Sequence, residues 1–214
     1  KPRRPSATTR RAPRIDGIEP SDGAPRWPQA TVVCQPIKLL EETAVTAARK
    51  YIDGVCKDAG PEGIEKLDTA TRQMIGRAPR SGKAEIDAAV EAAKKAFPAW
   101  SATPAPKRGE ILYEAARRME ARKEELGRLI TREMGKVKVE ALGDVQEAID
   151  MAYYMAGEGR RLFGVTTPSE LPDKICMTIR EPVGVCGMIT PWNFPVAIPS
   201  RKSLPALICG NTVV

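Results

Sequence analysis

The run Pro182-Val183-Gly184-Val185-Cys186-Gly187-Met188-Ile189-Thr190-Pro191-Trp192-Asn193-Phe194-Pro195 holds the side chains best placed to do chemistry. An apolar strand interrupted at Pro191, a bulky Trp192, a carboxamide at Asn193 and a second break at Pro195 predict a strand-to-helix crossover. In an open α/β sheet, ligands bind beyond the carboxyl ends of the strands. A side-chain amide held there is suited to donate a hydrogen bond to an oxygen that becomes negative during a reaction. One such donor contributes about 2.7–4 kcal/mol to transition-state stabilisation. An asparagine in a turn also bonds its own backbone, and the spacing around Asn193 leaves both roles open. Lys202, on the helix that should follow, has two readings as well: a functional cation or a solvated lysine.

Other chemistries are excluded by residue type. The chain has no histidine, which removes Ser-His-Asp and Cys-His catalysis and His-ligated zinc, and no metal site is expected. Cys186 lies in an apolar strand and Cys209 at an apolar helix end, and a free cysteine in such a setting is a small hydrophobe rather than a nucleophile. The same bland reading suffices for Cys34, Cys56 and Cys176. Five cysteines, an odd number without Cys-x-x-Cys spacing, favour a reducing, cytoplasmic setting. A hydrophobic content of 42% with 29% charged residues fits a soluble globular protein, and no apolar run is long enough to cross a bilayer.

The elements that must position Asn193 are read from periodicity. Residues 1–36 hold seven of the 19 prolines and an arginine-rich start (Arg3, Arg4, Arg10, Arg11, Arg14), so they are expected to be a disordered basic tail. A helix is expected over Ile37–Lys50, then short strands at Tyr51–Asp53 and Ile64–Leu67. From Lys83 to Phe97, Ile86, Ala89, Val90, Ala93 and Phe97 recur at helical spacing. A second helix runs through Ile111, Leu112, Ala115 and Met119, and a third through Leu126, Leu129, Ile130 and Met134 to a stop at Gly135. A fourth, the longest, carries Leu142, Val145, Ile149, Ala152 and Ala156. Strands are expected at Ile175–Glu181 and Val183–Ile189, then a helix from Pro195 to about Cys209 and a strand from Thr212. Helices followed by strand, helix and strand indicate an α/β protein entering a parallel sheet.

These residues resemble the amino-terminal half of the NAD(P)-dependent aldehyde dehydrogenase superfamily. The resemblance rests on Val183–Gly187, Ile189–Pro195, Lys202, Pro205-Ala206-Leu207 and Gly210–Val214. It reaches back through Tyr153–Gly157, Leu129–Lys136, Phe97–Ser101 and Ala88–Ala93, covering about residues 50–214. It implies a cofactor-binding domain over residues 37–214, incomplete, with the start of a Rossmann-like parallel sheet and an oligomerisation hairpin near residues 166–182. It implies NAD or NADP as cofactor, with Ile189, Thr190, Pro191, Trp192 and Asn193 lining the cofactor cleft. Asn193 would be the catalytic oxyanion donor, and Lys202 matches a catalytic-site lysine near the cofactor. The implied reaction is oxidation of an aldehyde to an acid through a cysteine thioester. The family's nucleophilic cysteine, its water-activating glutamate and its glycine-rich turn are expected beyond Val214. A chain that starts at Lys1 and closes on Thr212-Val213-Val214 is therefore read as a fragment, inactive alone, of a homo-oligomeric enzyme.

One stretch departs from the family. Asp68-Thr69-Ala70-Thr71-Arg72 stands where members commonly read Asn-Pro-Ala-Thr-Gly, which puts the local turn in doubt. Two other readings remain open: a noncatalytic oligomerisation or binding module, and nucleic-acid binding through the basic tail. The basic residues Arg117, Arg118, Arg122, Lys123 and Arg128 alternate with Glu114, Glu120, Glu124 and Glu125, so that stripe is expected to be an ion-paired, solvated face.

Overall fold

The computed structural model describes residues 46–58 and 62–214. The expected tail over residues 1–36 and most of the helix expected over Ile37–Lys50 lie outside the described residues. The end of that helix is corrected: β1 is Thr46–Ala47 and β2 is Arg49–Ile52. β2 turns at Asp53-Gly54 into antiparallel β3, Val55–Asp58, pairing Ile52 with Val55. Both turn residues have positive φ, 49° and 79°. This is the twist that two-residue hairpins demand and that Asp-Gly supplies most easily. The predicted strand at Ile64–Leu67 is present as β4, antiparallel to β5, Met74–Ala78, which also pairs with β1 in parallel.

The departure at residues 68–72 still closes a turn. The Asp68 carboxylate accepts the N–H groups of Ala70 (2.8 Å) and Thr71 (2.9 Å). Those backbone donors, Thr71 first, hold its pKa below the usual carboxylate value. Arg72 takes a φ of 62°, the left-handed conformation that glycine adopts without strain.

Four helices follow: α1 Lys83–Ala102, α2 Ala105–Ala121, α3 Lys123–Met134 and α4 Lys138–Glu158. Each is longer than, or as long as, its apolar stripe predicted. On α2 the buried stripe is Arg108, Leu112 and Ala116, whereas Ile111 is exposed. α4 is the hub of the packing. Its Val145 and Ile149 pack with Ile130 of α3. Its Ala152 packs with Leu112 and Ala116 of α2 and with Leu204 and Ile208 of α5, Ala197–Ile208. Burying a side chain such as Ile149 contributes about 1.5–3 kcal/mol, so this double-sided seam fixes where α5 lies. α2 and α4 approach closely because a Cβ on Gly109 would stand 2.5 Å from the Ala156 carbonyl oxygen.

The expected strands near the site are much shorter than their apolar runs. β7 is only Cys176–Met177, paired antiparallel with β6, Thr166–Thr167. β8 is only Val185–Cys186, paired in parallel with β9, Thr212–Val213. A strand is as long as its ladder, and β9 provides few partners. The ladder is extended by Thr212 N–H to the Gly184 carbonyl and by Met188 N–H to the Val214 carbonyl. β8, α5 and β9 form a parallel strand–helix–strand unit, as the sequence predicted.

Candidate functional site

Asn193 follows β8 and precedes α5, so both elements must be held for its side chain to have a defined position. Asn211 fastens the first. Its side-chain oxygen accepts the N–H groups of Val183 (2.7 Å) and Gly184 (3.0 Å), and its amide nitrogen donates to the Ala206 carbonyl (3.1 Å). Thr212 adds a bond to α1 by donating its hydroxyl to the Ala93 carbonyl at 3.0 Å. Arg108 fastens the far end of α5, donating from Nε to the Ile208 carbonyl (3.0 Å) and from Nη1 to the Ser101 and Thr103 carbonyls. Burial pushes its guanidinium pKa below the ordinary value. A Cβ on Gly210, whose φ is 92°, would come within 3.3 Å of that guanidinium.

The start of α5 is held differently. No side chain from the preceding turn caps it. The buried carboxylate of Asp144, on α4, instead accepts the Ala197 N–H at 2.7 Å, satisfying one of the donors that a helix start leaves without an intrahelical partner. Its other oxygen faces Lys136 Nζ at 3.3 Å. Lys136 follows α3, whose end is turned by Gly135 in the left-handed conformation (φ 78°). The same Nζ donates to the Asn193 backbone carbonyl at 2.7 Å and lies 3.8 Å from the centre of the Phe194 ring.

The structure brings Ile189, Thr190, Pro191, Trp192 and Asn193 together on one exposed segment at the carboxyl end of β8. Ile189 is fully exposed and Trp192 is 82% exposed, an apolar surface turned to solvent. Only the backbone of Asn193 is engaged; its side-chain amide makes no hydrogen bond among the described residues. Lys202 stands exposed on α5, beside Arg201, which pairs with Glu147 at 2.6 Å. Among the described residues Lys202 has no ion pair.

Lys136, Asp144, Arg108 and Asn211 were given no site role in advance, although Lys136 and Asn211 lie in stretches that carry the resemblance. One signal was available: Asp144 falls on the stripe of α4 that carries Ala141, Val145 and Ala148, and an acidic residue at a core position calls for a partner. The basic stripe is ion-paired as expected at Arg117 and Arg118, both to Glu114, and at Arg122, to Glu125. Lys123 instead bonds Gln146 on α4 at 2.6 Å. Cys176, Cys186 and Cys209 are free thiols, whereas Cys56 on β3 is disulfide-bonded, which corrects the bland reading expected of it. No described helix is long and apolar enough to cross a membrane.

The model of the aldehyde dehydrogenase family matches residues 56–214. Glutarate-semialdehyde dehydrogenase of Pseudomonas putida is 39% identical over 176 residues, which are 82% of this chain and 37% of that protein. A crystal structure of an Escherichia coli NADP-dependent enzyme superposes with a TM-score of 0.76 at 37% identity, covering 82% of this chain and 37% of that one. An NAD-dependent aldehyde dehydrogenase from Sinorhizobium meliloti gives a TM-score of 0.76 at 33% identity, covering 79% and 35%. The chain thus spans little more than a third of the length of the relatives it matches.

Proposed function

The chain belongs to the aldehyde dehydrogenase family, and from that premise we propose that it is the amino-terminal part of an enzyme that oxidises an aldehyde to a carboxylic acid with NAD+ or NADP+. One observation carries the reading. The Asn193 amide is presented free at the carboxyl end of a parallel strand while its own backbone is anchored from behind by Lys136. An amide so placed donates to the aldehyde oxygen as a nucleophile adds to the carbonyl carbon and the oxygen becomes negative. Its N–H groups stabilise a charge that exists only during reaction, so the interaction raises turnover rather than ground-state binding. The resemblance assigns the attacking thiolate to a cysteine beyond Val214. Cys186, half-buried in β8, is not proposed for that role.

The segment also fits the proposed cofactor. Ile189 and Trp192 offer exposed apolar surface for a flat ring, and no charged side chain occurs between Pro182 and Val196 to oppose the approach of phosphates. Ile189, Thr190, Pro191, Trp192 and Asn193 would line that cleft, with Lys202 near its polar groups. When bound, the nicotinamide supplies the hydride acceptor. Glutarate semialdehyde, named for the Pseudomonas putida relative, is a first substrate to assay. The β6–β7 hairpin exposes Val165, Ile175, Met177 and Ile179, and we infer that this face joins copies of the whole protein. That reading complements the enzymatic one.

The test is Asn193→Ala in the whole enzyme. Turnover should fall by about 10²–10³ while cofactor affinity is retained. Unchanged turnover, with the chemical step shown to be rate-limiting, would remove Asn193 from the reaction.

A further inference from the structure

A single buried ion pair grips both ends of the turn that carries Asn193. Lys136 Nζ holds the carbonyl of Asn193 at 2.7 Å, and Asp144 holds the N–H of Ala197 at 2.7 Å. The two groups face each other at 3.3 Å, with side chains 9% and 0% exposed. Ionic groups are expensive to bury, and an apolar pair of similar volume serves stability as well or better. An apolar pair, however, leaves the Asn193 carbonyl and the Ala197 N–H without these partners. The Phe194 ring beneath Nζ restricts where the ammonium can lie, so the carbonyl is held in one direction. The side chain of Asn193 leaves the same backbone, so fixing that peptide fixes where the amide points.

We propose that Lys136 and Asp144 are positioning residues for the Asn193 amide, a role that rests on Asn193 being the oxyanion donor. Neither touches substrate. They transmit the rigidity of α3 and α4 to a turn that is otherwise open to solvent. Displacing a catalytic donor by about 1 Å costs up to about a hundredfold in rate.

The experiment uses the whole enzyme with glutarate semialdehyde, then a panel of aliphatic and aromatic aldehydes, and with NAD+ and NADP+ in turn. Lys136→Met/Asp144→Asn removes both charges together, and Asn at 144 can still accept the Ala197 N–H. Turnover should fall about ten- to a hundredfold with cofactor affinity unchanged. On an Asn193→Ala background the same pair of substitutions should cause no further loss, because the residues act through that amide. Amide hydrogen exchange should quicken in a peptide covering residues 189–200 and stay as it was in α2 and α4. A folded variant with wild-type turnover and wild-type exchange overturns the proposal, and so does a loss that multiplies with that of Asn193→Ala. If the double variant does not fold, Lys136→Arg keeps the charge opposite Asp144 but moves the donor, and the same criteria apply with a smaller expected loss. If Asn193→Ala itself leaves turnover intact, the oxyanion reading fails on its own, and the exchange measurement still decides whether Lys136 holds the turn.

Discussion

Replacing Asn211 with alanine isolates the other side of the site, the attachment of β8. Asn211 is 6% exposed and makes three side-chain hydrogen bonds, two accepted from Val183 and Gly184 and one donated to Ala206. Their losses are unequal. The Ala206 carbonyl keeps the backbone N–H of Asn211 at 3.0 Å, so it is not left bare. Val183 is 86% exposed, and water can reach its N–H. The Gly184 N–H is the donor least easily rescued. Taking about 1 kcal/mol for each ordinary bond lost and somewhat more for the group left least solvated, Asn211→Ala should cost about 2–3 kcal/mol. For a chain of this length that is a fall in Tm of about 4–12 °C. Urea unfolding of variant and parent measures it, as a lower midpoint with an unchanged slope. Turnover of the folded variant should stay near that of the parent, because the ladder bonds from Thr212 and Val214 to β8 and the grip of Lys136 on Asn193 are untouched. A destabilisation below about 0.5 kcal/mol would show that water replaces the clamp at no cost and that the counting is wrong.

Two further outcomes are expected. The Glu85 carboxyl accepts from Lys50 Nζ and from the Gly82 N–H, and these bonds, Lys50 first, lower its pKa from 4.5 to about 2. Because the folded value is depressed, its contribution to stability is complete above the unfolded value and is lost as pH falls through about 2, a loss that Glu85→Gln should abolish. Carbon-detected titration of that carboxyl checks the premise; a midpoint near the ordinary 4.5 would refute it. The exposed face of β6–β7 should be covered in the whole enzyme, so Ile175→Glu, at a residue 77% exposed here, should shift the protein to a smaller species in size-exclusion chromatography with light scattering. A parent protein that already elutes as a monomer would sink that expectation.

The helices were legible because their information is local. Val145, Ile149 and Ala152 announce the buried face of α4 without reference to any other element, and Gly135 announces where α3 stops. Of the amino-terminal strands, β4 was legible over Ile64–Leu67, whereas β1 and β5 were not. β5 reads Met-Ile-Gly-Arg-Ala, with no clean alternation, and its neighbours β1 and β4 both precede it in sequence while flanking it on opposite sides in the sheet. The β2–β3 hairpin did carry a local sign, Asp53-Gly54 between Tyr51-Ile52 and Val55-Cys56. The helical reading of Ile37–Lys50 took in the first residues of β2, and the strand expected over Tyr51–Asp53 ran into the turn.

The site divides along the same line. Asn193 was readable because Pro191, Trp192 and Pro195 mark it within a few residues. The side chains that hold its turn were not, because each is paired with a backbone group of a distant element. Asp144 reaches Ala197 across 53 positions, Arg108 reaches Ile208 across 100, and Thr212 reaches Ala93 across 119. What a sequence does show is the anomaly, a polar residue on a stripe that should be apolar. Arg108 on the face of Leu112 and Ala116, and Asp144 on the face of Ala141 and Val145, are both such anomalies. Burying them is unfavourable unless they satisfy something. In this fold what they satisfy is the two ends of α5, the helix that begins just past Asn193.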